Sequence, residues 1–172
     1  MPTGNVITIG NFDGVHLGHQ AGIDLARRSA PGAPLGVMTF EPHPREYFAP
    51  DAQPFRLMNR TARAHRLEKI GVERLFELPF DAELAALTPD AFAREVIARG
   101  LGLRHVVIGA DFRFGKGRAG DAAMLQALGA EHGFGVTVSP LIALEAGEDE
   151  VVDRVPGPGC ALRCLLDLQR LR

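Results

Sequence analysis

Asn5-Val6-Ile7-Thr8-Ile9-Gly10-Asn11-Phe12-Asp13-Gly14-Val15-His16-Leu17-Gly18-His19 is the stretch that decides the fold. Asn5 to Ile9 is a short β-branched run that breaks at Gly10, and apolar residues at helical spacing (Leu17, Ala21, Leu25) then run on to about Arg28. Strand, glycine turn and helix follow one another directly. Glycine lets the backbone turn sharply and approach a ligand closely, and the free amides at the start of the next helix favour an anion. His16 and His19, three apart at that helix start, share a face and offer imidazole donors to a phosphate chain. A histidine pair at this spacing is also an ordinary surface feature. A metal site is the rival functional reading, disfavoured because no carboxylate stands beside the pair as a third ligand.

Outward from this unit the alternation continues. Pro34 to Phe40 reads as a second strand, and a proline-rich loop (Pro42, Pro44, Pro50, Pro54) leads to a helix from Arg60 to Ile70 that Gly71 closes. Glu68 and Lys69 on that helix read as solvated charges. Arg74 to Leu78 is a third strand, and Thr88-Pro89-Asp90 supplies a capping hydroxyl, a proline at the first helical position and an acid in the first turn. That helix carries Phe92, Val96 and Ile97 and stops at Gly100 and Gly102. His105 to Ile108 is a fourth strand, followed by a second glycine-rich loop (109–120), a helix over about Asp121 to His132 and a fifth strand near Val136 to Leu141. Nearly all-apolar strands alternating with helices predict a Rossmann-like doubly wound α/β fold: a parallel sheet of about five strands, order 3-2-1-4-5, with helices on both faces.

Composition bounds the function. A chain of 172 residues that is 46% hydrophobic is large enough for one compact domain with a real core. A formal charge of -2 argues against a general nucleic-acid binder, because affinity for a phosphate backbone needs concentrated Lys/Arg surface. The sequence has no apolar run near the roughly 20 residues of a membrane span and no secretory leader pattern, so the expectation is a cytoplasmic protein without a membrane partner. Cys160 and Cys164 have no further cysteines to join and read as incidental. Oligomeric state is left open.

In an open doubly wound sheet, ligands lie beyond the carboxyl ends of the strands where strand order reverses, commonly between the first and fourth strands. Both glycine-rich loops follow those strands, so sequence order alone points to one crevice. The second loop, Gly109-Ala110-Asp111-Phe112-Arg113-Phe114-Gly115-Lys116-Gly117-Arg118, adds charge at Asp111, Arg113 and Lys116. A dehydrogenase is disfavoured because G-x-G-x-x-G does not follow the first strand, and a P-loop kinase because G-x-x-x-x-G-K-S/T is absent.

His16-Leu17-Gly18-His19 after a strand is similar to the HxGH signature of nucleotidylyltransferases, and Gly10 to Gln20 resembles the opening of bacterial bifunctional riboflavin kinase/FAD synthetases. Thr39-Phe40-Glu41-Pro42-His43-Pro44, Leu78-Pro79-Phe80-Asp81 and Gly109 to Gly120 resemble further segments of that family, in its order, across about residues 4–145. The resemblance implies an FMN adenylyltransferase domain over residues 1–146 with an atypical tail over 147–172. It implies ATP (with Mg2+) and FMN as substrates, the FMN phosphate attacking the α-phosphorus and pyrophosphate leaving. By the same carry-over Asn11, His16 and His19 are the catalytic candidates, facing the ATP phosphates. Gly10, Phe12, Asp13, Gly14, Gly18, Phe40, Pro42, His43, Gly109, Asp111, Phe112, Arg113 and Lys116 are the binding candidates. Phe40, Phe112 and Phe114 are aromatic surfaces for a flavin or adenine ring or, alternatively, core residues. The loop from Glu41 to Arg56, with Tyr47, is either a flavin cover or a plain surface excursion.

The tail departs from the resemblance. The family carries Ser-Ser/Thr-x-x-Arg after its fifth strand; Val151-Val152-Asp153-Arg154-Val155-Pro156 stands there instead, and the riboflavin kinase domain of the family is expected to be absent. Read one base later, codons for those six residues, running into that of Gly157, can encode Ser-Ser-Thr-Ala-Tyr-Arg, an expectation that resequencing the locus tests. Pro156 to Gly159 breaks a helix, Ala161 to Leu171 is compatible with one, and the tail is expected to be poorly ordered or loosely docked. Two other functions therefore stand beside FAD synthesis: a catalytically impaired nucleotide- or flavin-binding remnant, and a nucleotidylyltransferase with a different acceptor.

Overall fold

The computed structural model describes residues 4–12, 17–53, 58–140 and 163–165. Its elements are β1 (Val6–Ile9), α1 (Leu17–Ser29), β2 (Leu35–Glu41), α2 (Pro44–Phe48), α3 (Arg60–Lys69), β3 (Arg74–Pro79), α4 (Ala82–Ala86), α5 (Pro89–Ala91), which runs on as a π-helical segment (Phe92–Gly100), β4 (His105–Gly109), a short 3-10 turn (Lys116–Arg118), α6 (Ala122–His132), β5 (Gly135–Ser139) and β6 (Arg163–Leu165). All strand pairings in the sheet are parallel and the strand order is β5-β4-β1-β2-β3-β6. The five expected strands stand in the expected order. β6 extends the sheet beyond β3.

Side chains of successive strand residues point to opposite faces, and the two faces bury different helices. Val6, Leu35, Val37, Leu75 and Val107 pack with Ile23 and Ala26 of α1 and Ala64 and Leu67 of α3. Ile7, Ile9, Met38, Phe76, Leu78, Val106 and Ile108 pack with Leu84 of α4, with Phe92, Ala93, Val96 and Ile97 of the π-helical segment, and with Leu125 of α6. Both faces are covered, which is why these strands are apolar on both sides. By the same alternation Thr39, Glu41 and Glu77 belong to the α1/α3 face, and Phe40 to the other.

Two local expectations are corrected. The helix after Thr88 is regular for only three residues, then widens, with Leu101 N–H donating to the Val96 carbonyl at 2.9 Å, a five-residue step. Residues 163–165, read as helix-compatible, are a strand paired with Leu75 to Glu77. The free edge of β3 offers unpaired backbone groups, and a short apolar run such as Cys164–Leu165 suits a strand as well as a helix. The stretch 151–156 and the remainder of the tail lie outside the described residues.

Candidate active site at the β1–β4 switch point

Parallel strands put their carboxyl ends on one rim, and the order reverses at β1, which has β2 on one side and β4 on the other. Extending the register that pairs Thr8 with Val107 by two residues sets Gly10 level with Gly109. The two glycine-rich loops thus leave neighbouring strands at the same height.

The start of the first loop, Gly10 to Phe12, is tightly built. Gly10 N–H donates to the Met38 carbonyl at 3.1 Å, holding the end of β1 on β2. A Cβ on Gly10 would meet the Phe12 ring at 3.1 Å. Phe12 takes a left-handed backbone, φ 52°, with its ring only 2% exposed. That conformation costs a non-glycine residue about 1–2 kcal/mol, and burial of the ring offsets it. The Phe12 ring faces the imidazole of His19, centroids 4.7 Å apart and planes tilted by 37°. Gly18 and His19 lie in the first turn of α1, half-buried, as is Asn11. Of the catalytic candidates, Asn11 and His19 are thus placed around Phe12. Asp13, Gly14 and His16 lie outside the described residues.

In the second loop Asp111 folds back over Gly109, its Oδ1 2.9 Å from where a Cβ would stand. Phe112 N–H donates to the Gly109 carbonyl at 3.0 Å. Phe112 and Phe114 stack with centroids 5.6 Å apart. Phe114 is 6% exposed and packs on Phe92, so it is a core residue; Phe112 is half-buried against the same core. Asp111, Arg113 and Lys116 are exposed. An antiparallel bridge between Phe114 and Gly120 closes the loop, and Lys116 N–H donates to the Leu87 carbonyl at 2.7 Å, docking it beside the start of α5.

At the end of β2, Phe40 stands edge-on to Phe80, centroids 5.9 Å apart. The Glu41–Pro42 peptide is cis. His43 caps α2: its Nδ1 accepts from Arg45 N–H at 3.0 Å, and its own N–H donates to Glu46 Oε2 at 3.1 Å. Tyr47 and Phe48 also meet Phe80 edge-on, at 5.2 and 5.7 Å, with Phe48 69% exposed. The result is an exposed aromatic shelf on the face opposite α1.

Beneath the rim lies a charge cluster that the sequence reading missed. Arg63, buried on α3, donates from Nη1 to the Asn11 carbonyl at 3.4 Å and from Nη2 to Glu41 Oε2 at 3.0 Å. Its Nη2 also lies 3.6 Å from Glu77 Oε1. Glu77, 1% exposed, accepts from Arg60 Nε at 3.0 Å and from Arg60 Nη2. Two signals were available: Glu77 interrupts an apolar strand, and Arg63 shares the helix face of Ala64 and Leu67. Glu68 and Lys69 are exposed, as expected. A separate group of ligand-type atoms, from Asp90, Glu131 and His132, lies within 4.8 Å of one another. It joins α5 to α6, includes no glycine-loop residue, and one Asp90 oxygen already accepts from Arg94.

Residues 1–152 match the FAD synthetase family. The chain is 42% identical over 137 residues to the bifunctional riboflavin kinase/FMN adenylyltransferase of Escherichia coli K12, covering 78% of this chain and 44% of that protein. It is 42% identical over 145 residues to the Pseudomonas fluorescens protein of the same description (83% and 46%), and 36% identical over 140 residues to the FAD synthetase of Listeria monocytogenes (80% and 56%). The chain thus spans about half the length of these curated relatives. A crystal structure described as a macrolide-efflux protein from Streptococcus pneumoniae superposes with a TM-score of 0.72 at 28% identity, covering 86% of this chain and 50% of that one. Because the family match runs through both glycine loops and the five strands β1 to β5, the chain belongs to the FAD synthetase family.

Proposed function

We propose that this chain carries out adenylyl transfer from MgATP to FMN, giving FAD and pyrophosphate. The observation that carries the reading is that its two glycine-rich loops leave neighbouring strands, β1 and β4, at the switch point, in a chain of this family. An oxygen of the FMN phosphate forms a bond to the α-phosphorus of ATP as the bond to pyrophosphate breaks. No enzyme nucleophile is needed, so catalysis consists of positioning and of charge stabilisation. Magnesium arrives with ATP as part of the substrate.

In this reading His19 and His16, with Asn11, donate to the ATP phosphates where charge develops. Gly10, Gly14 and Gly18 allow close approach, Phe12 orients His19, and Asp13, next to Phe12 in sequence, is a further binding candidate. Gly109, Asp111, Phe112, Arg113 and Lys116 form the opposite wall. Phe40, Pro42 and His43 carry the aromatic shelf that takes the isoalloxazine ring. The transferase domain is 1–146, and 147–172 is an atypical tail whose residues 163–165 add β6 to the edge of its sheet.

A second reading, binding without turnover, is favoured by Val151 to Pro156 standing where the family has Ser-Ser/Thr-x-x-Arg. Incubating the chain with FMN, ATP and magnesium and separating the products by chromatography decides between them. FAD that forms with the wild type and not with His19→Ala supports transfer. Binding of ATP and FMN without FAD supports the remnant, and AMP transfer only to another phosphorylated acceptor would replace FMN in the proposal.

A further inference from the structure

We infer that Arg63 is a positioning residue that couples the nucleotide loop after β1 to the acceptor-side end of β2, setting the separation of the two bound substrates; the inference rests on the adenylyl-transfer reading. One guanidinium touches both segments: Nη1 reaches the Asn11 carbonyl at 3.4 Å and Nη2 the Glu41 carboxylate at 3.0 Å. Asn11 sits in the loop that precedes His19. Glu41 lies between Phe40 and Pro42, the residues that begin the aromatic shelf, and β2 carries Glu41 and Phe40 to opposite faces of the sheet. Holding Glu41 therefore fixes the shelf from behind.

Stability alone does not account for this arrangement. Arg63 is 4% exposed and Glu77 1%, and replacing such buried ion clusters by apolar residues is often neutral or stabilising. This cluster also leaves Arg63 Nε, Glu77 Oε1 and Thr39 Oγ1 buried without a hydrogen-bond partner among the described residues, each a desolvation cost. Thr39 and Glu77 are register partners on adjacent strands, so these atoms gather under the same rim. What the cluster supplies instead is geometry. The fork of Arg63 spans two segments 30 residues apart in sequence (11 and 41), and Glu77, itself held by Arg60, supports the guanidinium from a third strand.

The test uses the full chain, with Arg63→Lys, which keeps the charge and loses the fork, and Glu41→Gln, which keeps the bulk. Each is measured by steady-state FAD formation with FMN and MgATP varied, and by amide hydrogen exchange. The expected result for Arg63→Lys is a kcat lower by roughly 10–100-fold, with both KM values within about threefold of wild type. Exchange is expected to quicken both at Asn11–Phe12 and at His43–Phe48, and to stay unchanged in α6. A kcat at the wild-type level with only a lower melting temperature overturns the inference, as does quickening confined to one segment. Should Arg63→Lys fail to fold, Glu41→Gln decides: quickening at Asn11–Phe12 as well as at His43–Phe48 supports coupling, and quickening at His43–Phe48 alone overturns it. Exchange needs no turnover, so a wild type that makes no FAD removes the adenylyl-transfer reading while exchange still decides whether Arg63 couples the segments.

Discussion

The ring of Phe12 faces the imidazole of His19 at a centroid separation of 4.7 Å, and it does so from a left-handed backbone with φ 52°. On the adenylyl-transfer proposal, a residue that carries backbone strain to put its ring there serves to orient the histidine. Phe12→Leu keeps most of the bulk and is expected to cost less than about 1.5 kcal/mol of stability. It is nevertheless expected to lower FAD formation about tenfold, because His19 loses its flat support. Phe12→Ala should cost about 3–5 kcal/mol. Urea unfolding alongside steady-state kinetics separates the two effects; a Leu variant with full activity would show that the ring only fills space.

Glu77 gives a stability prediction. Its carboxylate is 1% exposed and held between Arg60 and Arg63. Removing one member of a buried ion group leaves uncompensated charge, at a cost of about 3–5 kcal/mol. Glu77→Gln keeps the shape, so its loss isolates the charge. A shift of the urea midpoint to lower concentration with an unchanged slope is the expected result, and a midpoint within error of wild type would contradict it.

The same strand shows where sequence reading works and where it stops. Arg74 to Leu78 is legible as a strand because it is short, apolar and bounded by turns, and the structure moves its end by one residue. Glu77 within it gave no clue to its partners, since pairing across 14 residues to Arg63 depends on how α3 docks on the sheet. Helix α2 was hidden by the prolines around it, although His43, Pro44 and Glu46 spell a capping box with proline at the first helical position. Phe112 and Phe114 were equally readable as core or site, and only tertiary packing on Phe92 separates them. The neighbouring placement of the two loops was legible from order alone: loops after the first and fourth strands leave the same rim side by side when those strands are neighbours.

His105 predicts a pH dependence of stability. Burial, and secondarily the neighbouring Arg104 charge, hold its imidazole below the usual histidine range, and its Nε2 lies 2.7 Å from Thr137 Oγ1. The unfolded chain, with a histidine pKa of about 6.5, therefore binds more protons than the folded chain between the two values. Stability rises with pH wherever that holds. The His105 contribution is present in full above the unfolded value and is lost as pH falls through the folded one. Urea midpoints measured from pH 8 down to about pH 5 should fall for the wild type, and less steeply for His105→Gln. An equal slope in both proteins would assign the effect to other groups.

Gly115 and Gly117 offer a paired test of how the second loop is held. Both have positive φ, 76° and 65°, so alanine is strained at either. Only at Gly115 is there also a collision: a Cβ would stand 2.7 Å from Pro89 Cγ and 2.8 Å from Pro89 nitrogen, whereas at Gly117 nothing lies within 4 Å. Gly117→Ala should therefore cost the left-handed backbone alone, about 1–2 kcal/mol. Gly115→Ala adds the clash, and relief of the clash moves the loop off α5, breaking the 2.7 Å bond from Lys116 N–H to the Leu87 carbonyl. Because Asp111, Arg113 and Lys116 ride on this loop, Gly115→Ala is expected to raise KM for one or both substrates by about tenfold or more, while Gly117→Ala leaves KM near wild type. Equal kinetic effects from the two variants would mean that docking on Pro89 does not position the loop.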